Sequence, residues 1–413
     1  MDEAGNRQKE LRKPEEAGNG VGSFACRAKE SAEGIKGEEV MEISALLYVM
    51  LTVVTVVLAL LIKNREYVAS HISGRGKTYL DRRQGCNLVI EVVIYLLLAG
   101  VSACRIAIGR DYWVYRDNFE LISLGRHVSY EKGFQYVVRL VQTIFGAEKY
   151  IPIFFLFSVV TVFFFVKALH DQGRWYALSL YLLLTGGYYF SSMHNVRYYF
   201  ALAIAMYSAK YVLRGEYGKF ILWILTAACF HKSVLLVIPA YMAARWLSRI
   251  RLKKWHYVVG GVLIASLILG QELYRKIIFF FYPYYEGSMF DTSEISWVNV
   301  AKCLGAFVLC LISWKGSLKE DSVNKFYFYL NLAGLVVYTC GSFIPEVSRV
   351  AYYLIVFQIF LIPNLLQNMK KGIWKILFVL GVVGAFALYF VIFLYRAYGD
   401  GVGLLPYLSW IFD

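Results

Sequence analysis

The chain has 413 residues, of which 59% are apolar and only 17% charged, and its mean hydropathy is +0.52. These values exclude a soluble globular protein and predict an all-α, polytopic membrane protein. The net charge of +14 would suggest a nucleic-acid partner in a soluble chain. Here the basic residues cluster in short loops between apolar segments, as the positive-inside rule describes, so we expect no nucleic-acid binding.

Residues 1–42 are polar and lack the apolar segment of a signal peptide, so we expect a disordered extension. Residues 37–40 read GEEV, a stretch that a purine-rich string resembling a ribosome-binding site can encode. Met41 is therefore our candidate for the true start. Detection of residues 1–40 by mass spectrometry of the native protein would contradict this hypothesis.

Apolar runs of membrane length follow one another from residue 43 to residue 395 and predict one membrane domain. The predicted spans are 43–62, 88–107, 151–169, 175–190, 195–213, 257–271, 298–314, 326–343, 349–366 and 376–395. With the hairpin described next, we expect about eleven to twelve membrane helical elements. Placing the basic loops in the cytoplasm puts loops 108–150 and 272–297, and the tail 396–413, outside.

Residues 217–247 contain a polar interruption at His231, Lys232 and Ser233. If this segment crossed the membrane once, the basic residues from Arg245 to Lys254 would lie outside, against the charge bias. A broken-helix hairpin with limbs 217–230 and 234–247 keeps them inside. Broken backbone at this depth needs protein or a watery cavity around it. A single straight helix with a basic external segment is the alternative.

Charged and imidazole groups at membrane depth indicate function, because a cation near the bilayer centre costs about 2.5–3.5 kcal/mol. On the predicted topology, one set of polar residues falls in or near the outer half of the membrane and favours a single water-filled site. The set is Arg110, Asp111, Tyr115, Arg116, Glu131, His194, Arg197, His231, Lys232, Glu346, Arg349 and Tyr353.

Structural interpretations of these residues remain open. Interfacial ion pairs with Asp111 or Asp117 would explain Arg110 and Arg116. A helix cap or a hydrogen bond to a carbonyl would explain His194, and a structural, hydrogen-bonded imidazole would explain His231. Arg197 can extend its guanidinium to the headgroups, and Glu346 can pair with Arg349, three residues later, to fix a helix end. The convergence of the whole set on one side of the membrane favours the functional interpretation.

Five short motifs occur in order between about residues 90 and 366. They are Gly109-Arg110-Asp111-Tyr112 with Tyr115 and Phe119, Glu131-Lys132-Gly133-Phe134, Asn195-Val196-Arg197 before a small-residue helix, Phe230-His231-Lys232-Ser233, and Arg349 with Tyr352-Tyr353. Together they resemble the EpsG family of bacterial exopolysaccharide polymerases, which belong among the Wzy-like proteins. Asn195 stands where the family pattern has glutamine.

The resemblance implies polymerisation of undecaprenyl-diphosphate-linked repeat units at the outer face of the bacterial cytoplasmic membrane, and a relationship to the GT-C class of glycosyltransferases. The implied partners are the lipid-linked donor and acceptor and the lipid bilayer. The resemblance also implies other export machinery as partners, such as a flippase and a chain-length regulator.

The residue chemistry fits this reaction independently. The donor is a glycosyl diphosphate, so the enzyme has to stabilise negative charge that develops on the leaving diphosphate. Arginine suits phosphate oxygens, and we expect Arg197, Arg349 and Arg110 to bind the diphosphate. With several cations present, neither a metal ion nor another cofactor is required.

The acceptor hydroxyl needs a base, and a histidine serves near neutral pH. His231 is our first choice, with Asp111 and Glu131 as alternatives that would otherwise orient the sugar. The other members of the set are expected to bind substrate. We expect one displacement with inversion at the anomeric carbon.

Two other functions would also use a cationic membrane site. A flippase for lipid-linked oligosaccharide needs a polar path to both faces and often has two related halves, whereas the polar residues here lie mainly towards the outside. A membrane acyltransferase would use a histidine at membrane depth, but usually with an acyl donor from the inside.

Overall fold

The architecture is entirely helical in the part of the chain that the structure, a computed structural model, describes. That part comprises residues 37–62, 82–281, 283–288, 294–399 and 403–411. It contains seventeen α-helices and no strand, which confirms the all-α prediction. The predicted polar extension falls almost entirely outside these residues. The first helix begins at Gly37, within the last residues assigned to that extension.

We number the α-helices in chain order. They are α1 Gly37–Leu60, α2 Arg82–Ala103, α3 Tyr112–Ser123, α4 Lys132–Phe145, α5 Ile151–Gln172, α6 Tyr176–Thr185, α7 Tyr188–His194, α8 Val196–Arg214, α9 Tyr217–Ala228, α10 Val237–Arg249, α11 Lys254–Leu269, α12 Gln271–Phe281, α13 Trp297–Ile312, α14 Ser322–Cys340, α15 Val347–Ile355, α16 Gln358–Asn368 and α17 Ile373–Gly399. Short 3₁₀ turns lie at Lys232–Leu236 and Pro283–Tyr285, and a π turn lies at Trp314–Leu318.

Several helices are long and apolar enough to cross a membrane, which confirms a polytopic membrane protein. Within the described ranges, five segments qualify alone: Met41–Leu60, Gln84–Ala103, Ile151–Gln172, Val347–Asn368 and Ile373–Tyr398. Helices α11 and α12 qualify together, although a 73° bend separates them. The predicted external loop 272–297 therefore begins with a helix rather than with irregular chain.

Helix α8 lies at the centre of the bundle, against α5 and α9. Its small residues Ala201, Ala203 and Ala205 are fully buried, and they allow neighbouring backbones to approach closely, as is usual between membrane helices. The centre is therefore apolar and closely packed, and the polar residues of α8 lie near its two ends.

The segment around His231 forms the predicted hairpin. Helix α9 ends before the break and α10 follows the 3₁₀ turn. The rings of Phe220 and Tyr241 stack at 5.9 Å, and the Arg245 guanidinium donates to the carbonyl of Leu213 at 2.7 Å. The second limb thus returns to the level at which the first begins. These contacts exclude the single straight helix.

Residues 112–145, predicted as a loop, form two amphipathic helices. Helix α3 buries Tyr115 and Phe119, and α4 buries Phe134, Val138 and Val141. The last three are spaced four and three residues apart, so they form one apolar stripe on α4. Because these two helices are too short and too polar to be membrane spans, hydropathy alone does not reveal them.

The C-terminal segment 403–411 packs back onto the chain that follows α2. The N–H of Ile106 donates to the carbonyl of Leu408 at 3.0 Å, and the N–H of Gly109 donates to the carbonyl of Gly403 at 2.7 Å. The hydroxyl of Tyr48 on α1 donates to the carbonyl of Leu404 at 2.9 Å. The tail therefore supports the residues that lead into Arg110 and Asp111.

Candidate functional site

The predicted polar residues lie at one end of the bundle, which we call the site end. There α2 and α9 finish, and α5, α8 and α15 begin. The opposite end is marked by ion pairs that join other helix ends. The Lys210 ammonium lies 2.6 Å from the Asp171 carboxylate, and Arg174 lies 2.5 Å from Asp321.

Arg197, in the first turn of α8, lies at the centre of the site end. Its guanidinium pairs with the carboxylate of Glu131, the residue before α4. The ring centroid of Tyr130 lies 3.8 Å from the guanidinium carbon, and that of Phe134 lies 5.5 Å away, so aromatic faces hold the cation. The Arg197 Nε has no hydrogen-bond partner among the described residues. The guanidinium therefore keeps donors that Glu131 does not use.

Glu131 joins Arg197 to the break in the hairpin. One carboxylate oxygen pairs with Arg197, and the other accepts the backbone N–H of Lys232 at 3.1 Å. The backbones also meet here, because the N–H of Phe134 donates to the carbonyl of Cys229 at 3.2 Å. Both oxygens of Glu131 are thus engaged. The geometry makes Glu131 a residue that positions its neighbours.

His231 lies in the break itself, outside the candidate spans. Its Nδ1 is 2.8 Å from the hydroxyl of Ser233, which lies 3.2 Å from the hydroxyl of Tyr353. The ring of Tyr198 meets the imidazole edge-on at 5.4 Å. Burial, and then the neighbouring arginine cations, lower the pKa of His231. The imidazole is therefore neutral at neutral pH, with Nε2 left to bind a further partner.

The start of α15 carries the second arginine of the site end. Glu346 precedes the helix with a left-handed backbone at φ 52°, a strained conformation for a residue other than glycine. Its carboxylate lies 3.2 Å from the Nε of Arg349. The Tyr198 hydroxyl donates to the Arg349 carbonyl at 2.8 Å, and the Tyr241 hydroxyl donates to the Tyr353 carbonyl at 2.7 Å. These bonds fix α15 against α8 and the hairpin.

His194, the last residue of α7, connects the two arginine regions. Its Nε2 lies 4.0 Å from the carboxylate of Asp111, while its buried Nδ1 has no partner in the described part of the chain. Burial lowers the pKa of His194; Asp111 opposes this effect, and the charges of Arg110 and Arg349 add to it. His194 is therefore within electrostatic range of both arginines.

Two predicted members lie apart from this cluster. Arg116 pairs with Asp117 at 3.1 Å and lies 4.6 Å from the ring centroid of Trp113, as the interfacial interpretation expects. The Lys232 side chain is exposed, and the residue joins the cluster through its backbone N–H alone. Within the described residues, no group of three or more His, Cys, Asp or Glu side chains is arranged to hold a metal ion.

The sequence model of the EpsG family matches residues 88–409, most of the chain. The chain belongs to the EpsG family. EpsG proteins are Wzy-like exopolysaccharide polymerases, so this is a multi-pass membrane protein with a polysaccharide-polymerase role. No curated protein and no solved structure matches the chain.

The EpsG match spans the whole cluster and includes residues 403–409 of the C-terminal segment that supports it. Two residues of this cluster, Tyr130 and Tyr198, were not singled out from the sequence, and Ser233 was named in a motif without a role in the site. Tyr130 directly precedes the motif that begins at Glu131, which was the available signal. Tyr198 follows Arg197 in the sequence, but its bond to Arg349 joins residues far apart in the chain and has no local signature.

Gly109, in the first of the EpsG motifs, allows the Arg110–Asp111 segment to approach α7. Its φ is +93°, and an added Cβ would lie 2.8 Å from the Cα of His194. We expect Gly109→Ala to lower the melting temperature and the polymerisation rate together. Gly125→Ala is the matched control, because φ is +70° there but the Cβ would meet open space. Left-handed backbone costs alanine about 1–2 kcal/mol at either site, so equal effects would contradict the close-approach argument.

Proposed function

We propose that this EpsG protein transfers a growing glycan from an undecaprenyl diphosphate carrier to the non-reducing end of the next lipid-linked repeat unit. The hydroxyl oxygen of the acceptor bonds to the anomeric carbon, the bond from that carbon to the diphosphate oxygen breaks, and polyprenyl diphosphate leaves. The hydroxyl proton passes to a base. Inversion at the anomeric carbon follows from a single displacement.

One observation carries this proposal: Arg197, Arg349 and Arg110 converge on two histidines at one end of an apolar bundle. Family membership supports polymerisation over the flippase and acyltransferase alternatives. A diphosphate needs several cations with free donors, and each of these arginines has unused donors. Glu131 and Glu346 orient two of the arginines, so binding does not have to order those side chains.

His231 is the base that the contacts favour. It is neutral, its Nδ1 is held by Ser233, and its Nε2 can accept the hydroxyl proton. Glu131 is engaged on both oxygens and acts as the residue that positions Arg197. Asp111 is partly exposed beside His194, and we assign it to orienting the acceptor sugar. Tyr115 is buried and its hydroxyl accepts the backbone N–H of Arg197 at 3.3 Å, so we assign it to positioning Arg197.

We place the reaction at the outer face of the cytoplasmic membrane. Lys210, Arg214, Arg245 and Lys375 lie at or beside helix ends opposite the site end, and basic loops mark the cytoplasmic side. The site end then faces outwards, where a flippase delivers lipid-linked units and a chain-length regulator acts on the product. These two partners are part of the proposal.

The test is incubation of purified protein with synthetic undecaprenyl-diphosphate repeat units, followed by gel analysis with and without a chelator. We expect a polymer ladder that survives chelation, because side-chain cations neutralise the diphosphate. A control with the repeat unit on a monophosphate carrier should give no ladder. If the diphosphate substrate gives no ladder but crosses a liposome membrane, the transport alternative replaces this proposal.

A further inference from the structure

A long apolar groove lies between α13 and α17, with Ile362 of α16 in its lining. Its volume is about 490 Å³, which falls within the range of ligand pockets. Along α13 it extends from Val298 to Ile312, about 21 Å of helix rise. That length is about two thirds of the hydrocarbon core of a bilayer. Apart from Lys302 and Tyr389, the lining side chains are apolar.

Lys302 is the one cation among the described residues that line this groove. Its ammonium lies 4.0 Å from the ring centroid of Tyr389, and no carboxylate pairs with it among the residues that the structure describes. A lone cation inside apolar walls is costly, so its presence indicates an anionic ligand. Lys302 has no signature in the sequence, because a single lysine in an apolar run resembles a tolerated span residue.

The position of Lys302 connects the groove to the site end. Lys302 lies in the second turn of α13 and is within electrostatic range of Tyr352 on α15. The neighbouring Cys303 belongs to the same buried apolar cluster as Ala351 and Ile355 of α15. Tyr352 follows Arg349 by three residues, so the two lie one helical turn apart on a shared face. The cationic end of the groove is therefore near the second arginine of the site.

We propose that this groove binds the isoprenoid chain of the lipid-linked substrate and that Lys302 contacts the phosphate nearest to that chain. The inference rests on the proposed function and adds where the lipid carrier lies. The apolar lining of the groove suits a hydrocarbon chain, and the Lys302 ammonium suits the negatively charged phosphate at the end of that chain. One molecule then occupies the groove with its chain and reaches Arg349 with its diphosphate.

Two glycines of α17 allow a steric test. A Cβ added at Gly381 or at Gly384 would meet no atom within 4 Å, so a side chain can start at both positions without a clash. Gly381 lines the groove, whereas Gly384 does not. Gly381→Leu should therefore obstruct the groove, and Gly384→Leu is its matched control. Lys302→Gln removes the charge, and Lys302→Arg preserves it.

The experiment is photolabelling of the full chain in detergent with a polyprenyl diphosphate that carries a diazirine in its isoprenoid chain and no sugar. We expect labelled peptides from α13 and α17 in the wild type and in Gly384→Leu, and about tenfold less label in Gly381→Leu. Lys302→Gln should weaken labelling, and Lys302→Arg should restore it. Labelling elsewhere, or equal competition by phosphatidic acid, would overturn the inference.

A second readout separates this inference from the proposed function. Polymerisation is measured with the natural long carrier and with a carrier of two isoprene units. Gly381→Leu should raise the KM for the long carrier and leave the short one unchanged. If Gly381→Leu forms a ladder with the same carrier preference as the wild type, the groove assignment is wrong and the polymerase proposal stands. If the wild type is labelled in the groove but forms no ladder, the polymerase proposal is wrong and the groove assignment stands.

Discussion

Replacing Arg197 by methionine abolishes the polymer ladder, with an expected loss of at least about a hundredfold in rate. This is the usual effect of removing one preorganised donor to developing negative charge. Arg197 is held by Glu131 and by the ring of Tyr130, and its unused donors can bind a phosphate. The measurement is the initial rate of polyprenyl diphosphate release by purified protein.

A loss of folding would give the same result, so a second variant is needed. Arg197→Met leaves the buried carboxylate of Glu131 without its cation, which typically costs about 3–5 kcal/mol of stability. Adding Glu131→Gln removes that charge and keeps an acceptor for the Lys232 N–H. The double variant should regain thermal stability but not activity. Arg139→Met, on the exposed side of α4, should retain both. A double variant that polymerises would show that Arg197 only neutralises Glu131.

Replacing His231 by alanine lowers the rate by about 10²- to 10⁴-fold, the range for loss of a general base. In the wild type the rate should fall on acidification as the imidazole becomes protonated. Because burial and the nearby cations lower the pKa of His231, this fall lies below the ordinary histidine value of about 6.5. Above that pH His231 is already neutral, so its protonation state should not change the rate any further.

The pH profile separates a base from a structural histidine. His231→Ala should lose the acidic limb of the profile, which is measured from roughly pH 3 to pH 8 because burial lowers the pKa of His231 to about 3, well below the ordinary histidine value. Ser233→Ala, which removes the partner of Nδ1, should keep that limb and reduce the rate less. An acidic limb that persists in His231→Ala but disappears in Asp111→Asn would assign the base to Asp111.

The sequence predicted the class of fold and the hairpin for physical reasons that act locally. Apolar length reveals a span, and the charge bias around Arg245 required the chain to turn back near His231. Helices α3 and α4 were missed, because their apolar stripes are short and are interrupted by charge. The packing of segment 403–411 rests on backbone hydrogen bonds, which leave no pattern of side chains to read.

The candidate site was predicted as a set of residues but not as a set of contacts. Motif residues and membrane depth indicated His231, Arg197 and Arg349. The pairing of Glu131 with both Arg197 and the Lys232 N–H joins elements far apart in the chain, so only the folded structure reveals it. Lys302 shows the same limit, since its lack of a carboxylate partner in the described part of the chain depends on tertiary packing.

The most direct test of the central claim is a cryo-electron-microscopy structure of the protein with a non-transferable phosphonate analogue of the lipid-linked donor. We predict diphosphate density within hydrogen-bonding distance of Arg197 and Arg349, with the anomeric carbon on the side of His231. Density for the diphosphate beside Lys210 and Asp171, at the opposite end of the bundle, would contradict the placement of the site.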